Sequence, residues 1–223
     1  MPDYAPDEAT ARADLCRFLS ACYYEPAPEF AEENLFNSLL VAARQVHPDL
    51  AEHARKLGDA FASQDLQTLL VDYTRLFLGP MQALAPPYGS TWLKTPVPAE
   101  GNPSPAVLDL YSDGGFDIDA EFRELPDHVA VELEFLYLLT FNKQVAAASN
   151  KADEVASIEC LQRRLFDEHL GVWITPFAAA VKAGAATAFY RELADFTERF
   201  VQMEARSLRI RLAASVENAN TLA

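Results

Sequence analysis

Apolar residues recur at three- and four-residue steps along most of this chain, the spacing that gathers side chains on one face of an α-helix. Leu15, Phe18, Leu19 and Cys22 carry the pattern through residues 7–24, and the "EPAPE" that follows stops it. A second run, 29–46, repeats it through Phe30, Leu35, Leu39 and Leu40 as far as Pro48, which itself suits the first position of a third helix reaching Phe61. Residues 65–78 predict a fourth helix, ended at Gly79 and Pro80.

The texture then changes, because seven of the fourteen prolines fall between residues 80 and 105. Proline lacks an N–H and fixes φ, so this stretch is an extended connection, and connections of such length are functional or act as linkers. It separates an N-terminal helical half, 1–79, from a C-terminal half, 106–223, with 80–105 as a Pro-rich hinge or loop. A short helix at 104–112 follows, closed by "DGG". Pro126 then suits the first position of a helix running to 148, with Asp127 in the first turn where the helix dipole favours an anion. Val129, Leu133, Leu136 and Thr140 mark one face of that helix and Val131, Phe135, Leu138 and Leu139 another. Apolar nearly all round, it is expected to be the central buried helix. Three more helices are predicted at 151–170, 173–183 and 186–217. With no alternating strand pattern and no repeat, the expected fold class is all-α: a compact bundle of about nine or ten helices.

Charge narrows the partners. The 223 residues carry a formal net charge of -15, which disfavours nucleic acid, since binding there requires phosphates to be neutralised by Lys and Arg. Between Glu100 and Glu134 ten acids (Glu100, Asp109, Asp113, Asp117, Asp119, Glu121, Glu124, Asp127, Glu132, Glu134) face one base, Arg123. An acidic rim of this kind suits a basic partner. Cys16, Cys22 and Cys160 form neither a disulfide framework nor a zinc pattern, the N-terminus lacks the basic and apolar layout of a secretory signal, and no run is long enough to span a membrane. The expected location is the cytoplasm.

Candidate chemistry centres on "ELPDHVAVELEFLYLL", where His128 stands four residues before Glu132, with Glu124 or Asp127 as further oxygen donors to a metal. One helix is a weak metal signal, because His47, His53 and His169 lack the companion acids of a helical di-metal site. No Gly-x-Ser-x-Gly elbow and no phosphate-cradling glycine loop occurs. His128 is therefore read as shaping a site, its charge tunable near neutral pH, rather than as a catalyst. "YTRLFLGP" packs as an ordinary helix end on the plain reading. "APPYGSTW" differs: two prolines stiffen it, Gly89 admits a close approach, and Tyr88 and Trp92 bring large apolar faces to a loop, a common form of binding anchor. An acidic rim beside an aromatic loop fits a ligand that is basic at one end and apolar beyond, the layout of an export leader.

Those segments, followed by "FDEHLGVWITPF" and "AFYRELADF", resemble the TorD/DmsD family of redox-enzyme maturation chaperones over residues 10–210. The resemblance implies an all-α, non-catalytic cytoplasmic chaperone, monomeric or a homodimer with swapped domains. Its partner would be the precursor of a molybdoenzyme catalytic subunit of the DMSO or TMAO reductase type. Held through its twin-arginine signal peptide, that precursor would be kept from export until its cofactor is inserted. No cofactor of the chaperone itself is implied. Carried over by position, the peptide-binding residues are Tyr73, Leu76, Phe77, Pro87, Tyr88, Gly89, Ser90, Trp92, Pro126, Asp127 and His128. Several relatives have tryptophan where Tyr73 and Tyr88 stand, which alters the apolar pocket, and nitrate-reductase chaperones match the Pro-Pro-aromatic loop poorly. The alternatives are a nitrate-reductase-type assembly chaperone, a metal-dependent enzyme at His128 and Glu132, and a scaffold for a folded basic partner.

Overall fold

The computed structural model describes residues 6–79, 82–93, 105–118 and 124–222. Among them it contains α1 (Glu8–Ala21), α2 (Glu29–Glu32), α3 (Leu35–Val46), α4 (Pro48–Ala62) and α5 (Leu66–Tyr73), with a π-helical turn at Thr74–Leu78. Then come α6 (Gly89–Trp92), α7 (Pro105–Asp113), α8 (Val129–Ala148), α9 (Ala152–Glu168), α10 (Leu170–Gly184) and α11 (Ala188–Leu222). The all-α class is as expected: α2 and α6 are single turns, and the longer α-helices among the described residues number nine. Half of the Pro-rich connection, together with Glu100, Asp119, Glu121 and Arg123 of the acidic stretch, lies outside the described residues.

Several boundaries differ from the periodicity, each for a local reason. The run 29–46 divides because Asn34 adopts a left-handed backbone, φ 57°, between α2 and α3. The run 65–78 leaves α-geometry at Tyr73, and Gly79 N donates to Thr74 O across a π-turn (2.6 Å). The carbonyls of Arg75 and Leu76 accept instead from Leu84 N (3.3 Å) and Ala85 N (2.8 Å) of the chain as it folds back. Gly79 is required there, since at φ +56° a Cβ would lie 2.4 Å from the backbone of Gln82 and Ala83. The last helix begins at Ala188 because Asp72 of α5 caps it from outside: its carboxylate accepts from Ala186 N (3.1 Å), Thr187 N (2.7 Å) and Thr187 Oγ1 (2.8 Å). Sequence pattern alone does not disclose a cap supplied from more than a hundred residues away.

Helix α8 lies between α1 and α9, while α11 packs on α10 and α4, and α3 bridges α1 and α4. Tyr23, Trp173, Phe177, Tyr190 and Phe196 are wholly buried at the junction, and full burial of each such side chain contributes about 1.5–3 kcal/mol. The central position expected of α8 holds for its first twelve residues. Farther on, Phe141 and Val145 are exposed. No helix among the described residues is long and apolar enough to cross a membrane.

Candidate functional site

Two loops distant in sequence close on each other through a single antiparallel bridge, Tyr88 against His128. Gly89 N donates to Asp127 O and Val129 N to Pro87 O, both at 2.8 Å. Pro86 and Pro87 have no N–H to satisfy, so the loop reaches this geometry at a reduced entropic cost. Next to the bridge, Asp127 Oδ2 accepts from Ser90 N (2.8 Å), and Trp92 Nε1 donates back to Pro86 O (2.9 Å).

The helix after the bridge does not begin at Pro126. Its N-cap is His128, whose Nδ1 accepts from Ala130 N (3.1 Å), so Asp127 precedes the first helical turn instead of occupying it. The carbonyls ahead of the cap are engaged sideways: Pro126 O accepts from Tyr111 Oη (2.7 Å) and Asp127 O from Gly89 N. Capping requires an unprotonated Nδ1. Burial supplies that condition by pushing the His128 pKa down to about 4, with the Asp127 charge opposing. The expectation of a charge tunable near neutral pH is thus corrected: the imidazole is neutral there.

Beneath the bridge Glu132 is fully buried and accepts from Trp173 Nε1 at 3.2 and 3.3 Å. Burial raises its carboxyl well above the usual range. Gly89 lies directly over this pair, where a Cβ would come 2.9 Å from Trp173 Nε1 and 3.2 Å from Glu132 Oε1. Glu132 therefore turns toward an indole and His128 toward its own helix, and among the described residues no three His, Cys, Asp or Glu side chains converge as metal ligands.

The outer face consists of tyrosines and carboxylates. The His128 ring stacks on Tyr24 (6.0 Å between centroids) and meets Tyr88 edge-on (5.3 Å). Tyr24 Oη donates to Glu134 Oε1 and Tyr88 Oη to Glu124 Oε2, each at 3.3 Å. Burial, then the charge of Glu124, raises the phenols of Tyr73 and Tyr88 to about 12, and burial with Glu134 raises Tyr24 as well. All three remain protonated donors at neutral pH. Glu124 and Glu134 are half-buried, and among the described residues each receives one weak phenolic bond, with Ser20 Oγ also 3.3 Å from Glu134 Oε1. Their oxygens retain capacity for a cationic donor.

The residues singled out in sequence come together here at different depths. Pro87, Gly89, Pro126, Asp127 and His128 are buried in the bridge; Tyr88, Ser90 and Trp92 are half-buried around it. Tyr73 is almost covered, and Leu76 and Phe77 belong to the core with no face to offer in this conformation. Glu134 enters from sequence only as one of the ten rim acids, and Tyr24 is not singled out there at all, because "CYYEP" reads as a helix stop.

A sequence family described as the nitrate reductase delta subunit matches residues 43–179, more than half of the chain. The chain belongs to this family. The matched span takes in Tyr88, Asp127 and His128 and leaves out Tyr24. Among similar proteins is the perchlorate reductase assembly chaperone protein of Dechloromonas aromatica, 29% identical over 203 residues, covering 87% of this chain and 88% of that protein. Two others are named chaperone protein TorD: that of Shewanella loihica is 27% identical over 214 residues (89% and 93% covered), and one from Vibrio cholerae is 24% identical over 208 residues (88% and 91% covered). A crystal structure described as a redox enzyme maturation protein of Archaeoglobus fulgidus shares the fold, with a TM-score of 0.50 and 21% identity over 85% of this chain and 93% of that one. The resemblance to TorD-type maturation chaperones is thereby shown, and these relatives are named as chaperones, not as enzymes.

Proposed function

We propose that this family member is an assembly chaperone that holds the twin-arginine leader of a molybdoenzyme precursor at the Tyr88–His128 bridge, in the cytoplasm and before export. The observation that carries this reading is the outer face itself, where Tyr24 and Tyr88 flank a neutral imidazole and each donates to a half-buried carboxylate, Glu134 and Glu124. A guanidinium fits such a face in two ways: its five donors meet carboxylate oxygens, and its plane lies over a phenol ring. The weak phenol–carboxylate bonds are what an incoming arginine displaces.

The carried-over residues take different roles in this proposal. Tyr88 and the edge of Tyr73 meet the ligand. Pro87, Gly89, Ser90, Pro126, Asp127 and His128 hold the two loops in register, and Leu76, Phe77 and Trp92 support them from below. Asp127, only 2% exposed, ties the loop through Ser90 N and leaves the arginines to Glu124 and Glu134. Relatives named for TorD and for perchlorate reductase assembly support a client of the same broad class.

Calorimetry with a synthetic peptide bearing two adjacent arginines and an apolar run tests the reading. Glu134→Gln and Glu124→Gln are each expected to weaken binding about tenfold, the loss of one charge-assisted hydrogen bond, and to flatten its salt dependence. Unchanged affinity and salt slope in both variants would refute it.

A further inference from the structure

An apolar surface runs along α8 away from the carboxylates, and nothing in the arginine site uses it. Glu134, Leu138, Phe141 and Val145 follow at steps of four, three and four residues, so they share one face of the helix. Glu134 and Leu138 are half-buried, whereas Phe141 is 47% and Val145 51% exposed. At the Glu134 end this face opens into a cavity of about 180 Å³ walled by Phe116, Val131, Phe135 and Leu138, with Asp117 and Glu134 on its rim. A cavity of about 150 Å³ accommodates a benzene ring, so this one has room for one large apolar side chain. Glu134 borders both the cavity and the tyrosine face, through its bond from Tyr24.

We propose that this face of α8 receives the apolar segment of the same leader, with its arginines at the Glu124–Glu134 end and its chain running toward Val145. The proposal rests on the arginine site above and adds to it a second subsite and a direction. Charge sets the direction, since carboxylates stand at the cavity end of the face and the side chains beyond it, Phe141 and Val145, are apolar. Length agrees. Val145 stands eleven residue steps beyond Glu134 on α8, about 16 Å at 1.5 Å per residue. The apolar region of an export leader, about 7–15 residues, spans roughly 10–22 Å as a helix. A leader helix laid against α8 covers Phe141 and Val145 and inserts one side chain beside Phe135, a helix-in-groove mode of recognition. It also gives the apolar segment a surface that the buried Leu76 and Phe77 do not provide.

Two peptides and three variants separate the subsites. The long peptide carries two arginines and about ten apolar residues; the short one ends just after the arginines. Phe141→Asp and Val145→Asp alter exposed positions, and unchanged melting would confirm that both fold. Each is expected to weaken the long peptide about tenfold and to leave the short peptide unaffected, while Glu134→Gln weakens both. If the long peptide binds the wild-type protein and both α8 variants equally while Glu134→Gln weakens it, this inference falls and the arginine site stands. If neither peptide binds the wild-type protein, both fall. If sedimentation shows that the wild-type chain self-associates and Phe141→Asp abolishes this without changing peptide affinity, the face is a contact between copies and the inference is likewise overturned.

Discussion

Two aspartates, Asp72 and Asp127, are buried to nearly the same degree, 1% and 2% exposed, and both reach across long sequence distances. Asp72 is saturated: Ala186 N, Thr187 N, Thr187 Oγ1 and Arg75 all donate to its two oxygens. Asp127 accepts at Oδ2 from Ser90 N, and among the described residues no donor reaches its buried Oδ1. A carboxylate with every lone pair engaged fixes one helix end against another. A carboxylate left with spare capacity marks a place where the fold has kept something uncompensated, beside a capping histidine and an aromatic loop. Burial alone does not distinguish the two, but the count of donors does.

The same substitution in both places breaks or sustains that contrast. Asp72→Asn sets an amide NH₂ against backbone and hydroxyl donors and is expected to cost about 4 kcal/mol, read as a lowered urea midpoint. A loss below about 1 kcal/mol would show that its four partners are redundant.

Titration sharpens the contrast next, because the Asp127 region holds a buried histidine. His128 has its pKa depressed from 6.5 to about 4 by folding, so between those values the unfolded chain binds a proton that the folded chain refuses. Stability should therefore fall as pH drops through that window, by about 3 kcal/mol at its lower end. His128→Asn keeps a cap acceptor and should remove this part of the slope when denaturation at pH 7 and pH 4 is compared with wild type. An identical slope in both proteins would mean that His128 is not held neutral. Glu132 acts in the opposite sense: its raised carboxyl pKa makes the folded chain the tighter proton binder as pH climbs above the ordinary glutamate value. Only the difference between variant and wild type isolates His128.

The smallest effect is expected from Asp127→Asn. The amide oxygen keeps the bond from Ser90 N, and Oδ1 has no donor among the described residues to lose, so stability should change by less than about 1 kcal/mol in the same urea experiment. A cost matching that of Asp72→Asn would erase the distinction between the two aspartates.

How legible the molecule is from its sequence depends on the range of the forces involved. The run ending at Cys22, the Pro48 start and the Gly79 stop follow from side-chain spacing and backbone sterics within a few residues, and they fall close to where the pattern places them. "APPYGSTW" and "LPDHV" each show that something unusual happens there, because proline, glycine and aromatic residues leave local signatures. The N-cap at His128 does not follow from the same rules. Pro126 satisfies every local criterion for a helix start, and it loses because its carbonyl is taken by Tyr111 and the next one by Gly89.

Composition and periodicity, then, suffice for an all-helical chain with an acidic, aromatic centre of interest, since helix formation and net charge depend on neighbours in the chain. Which of those acids stay in water is settled by packing. Glu132 ends under an indole and Asp127 inside a two-loop bridge, while Glu124 and Glu134 keep a path to solvent. So is the role of Tyr24, which meets His128 across about a hundred residues of chain. Desolvation and hydrogen-bond partnership are properties of surroundings, and for these residues the surroundings come from segments that meet only once the helices have assembled.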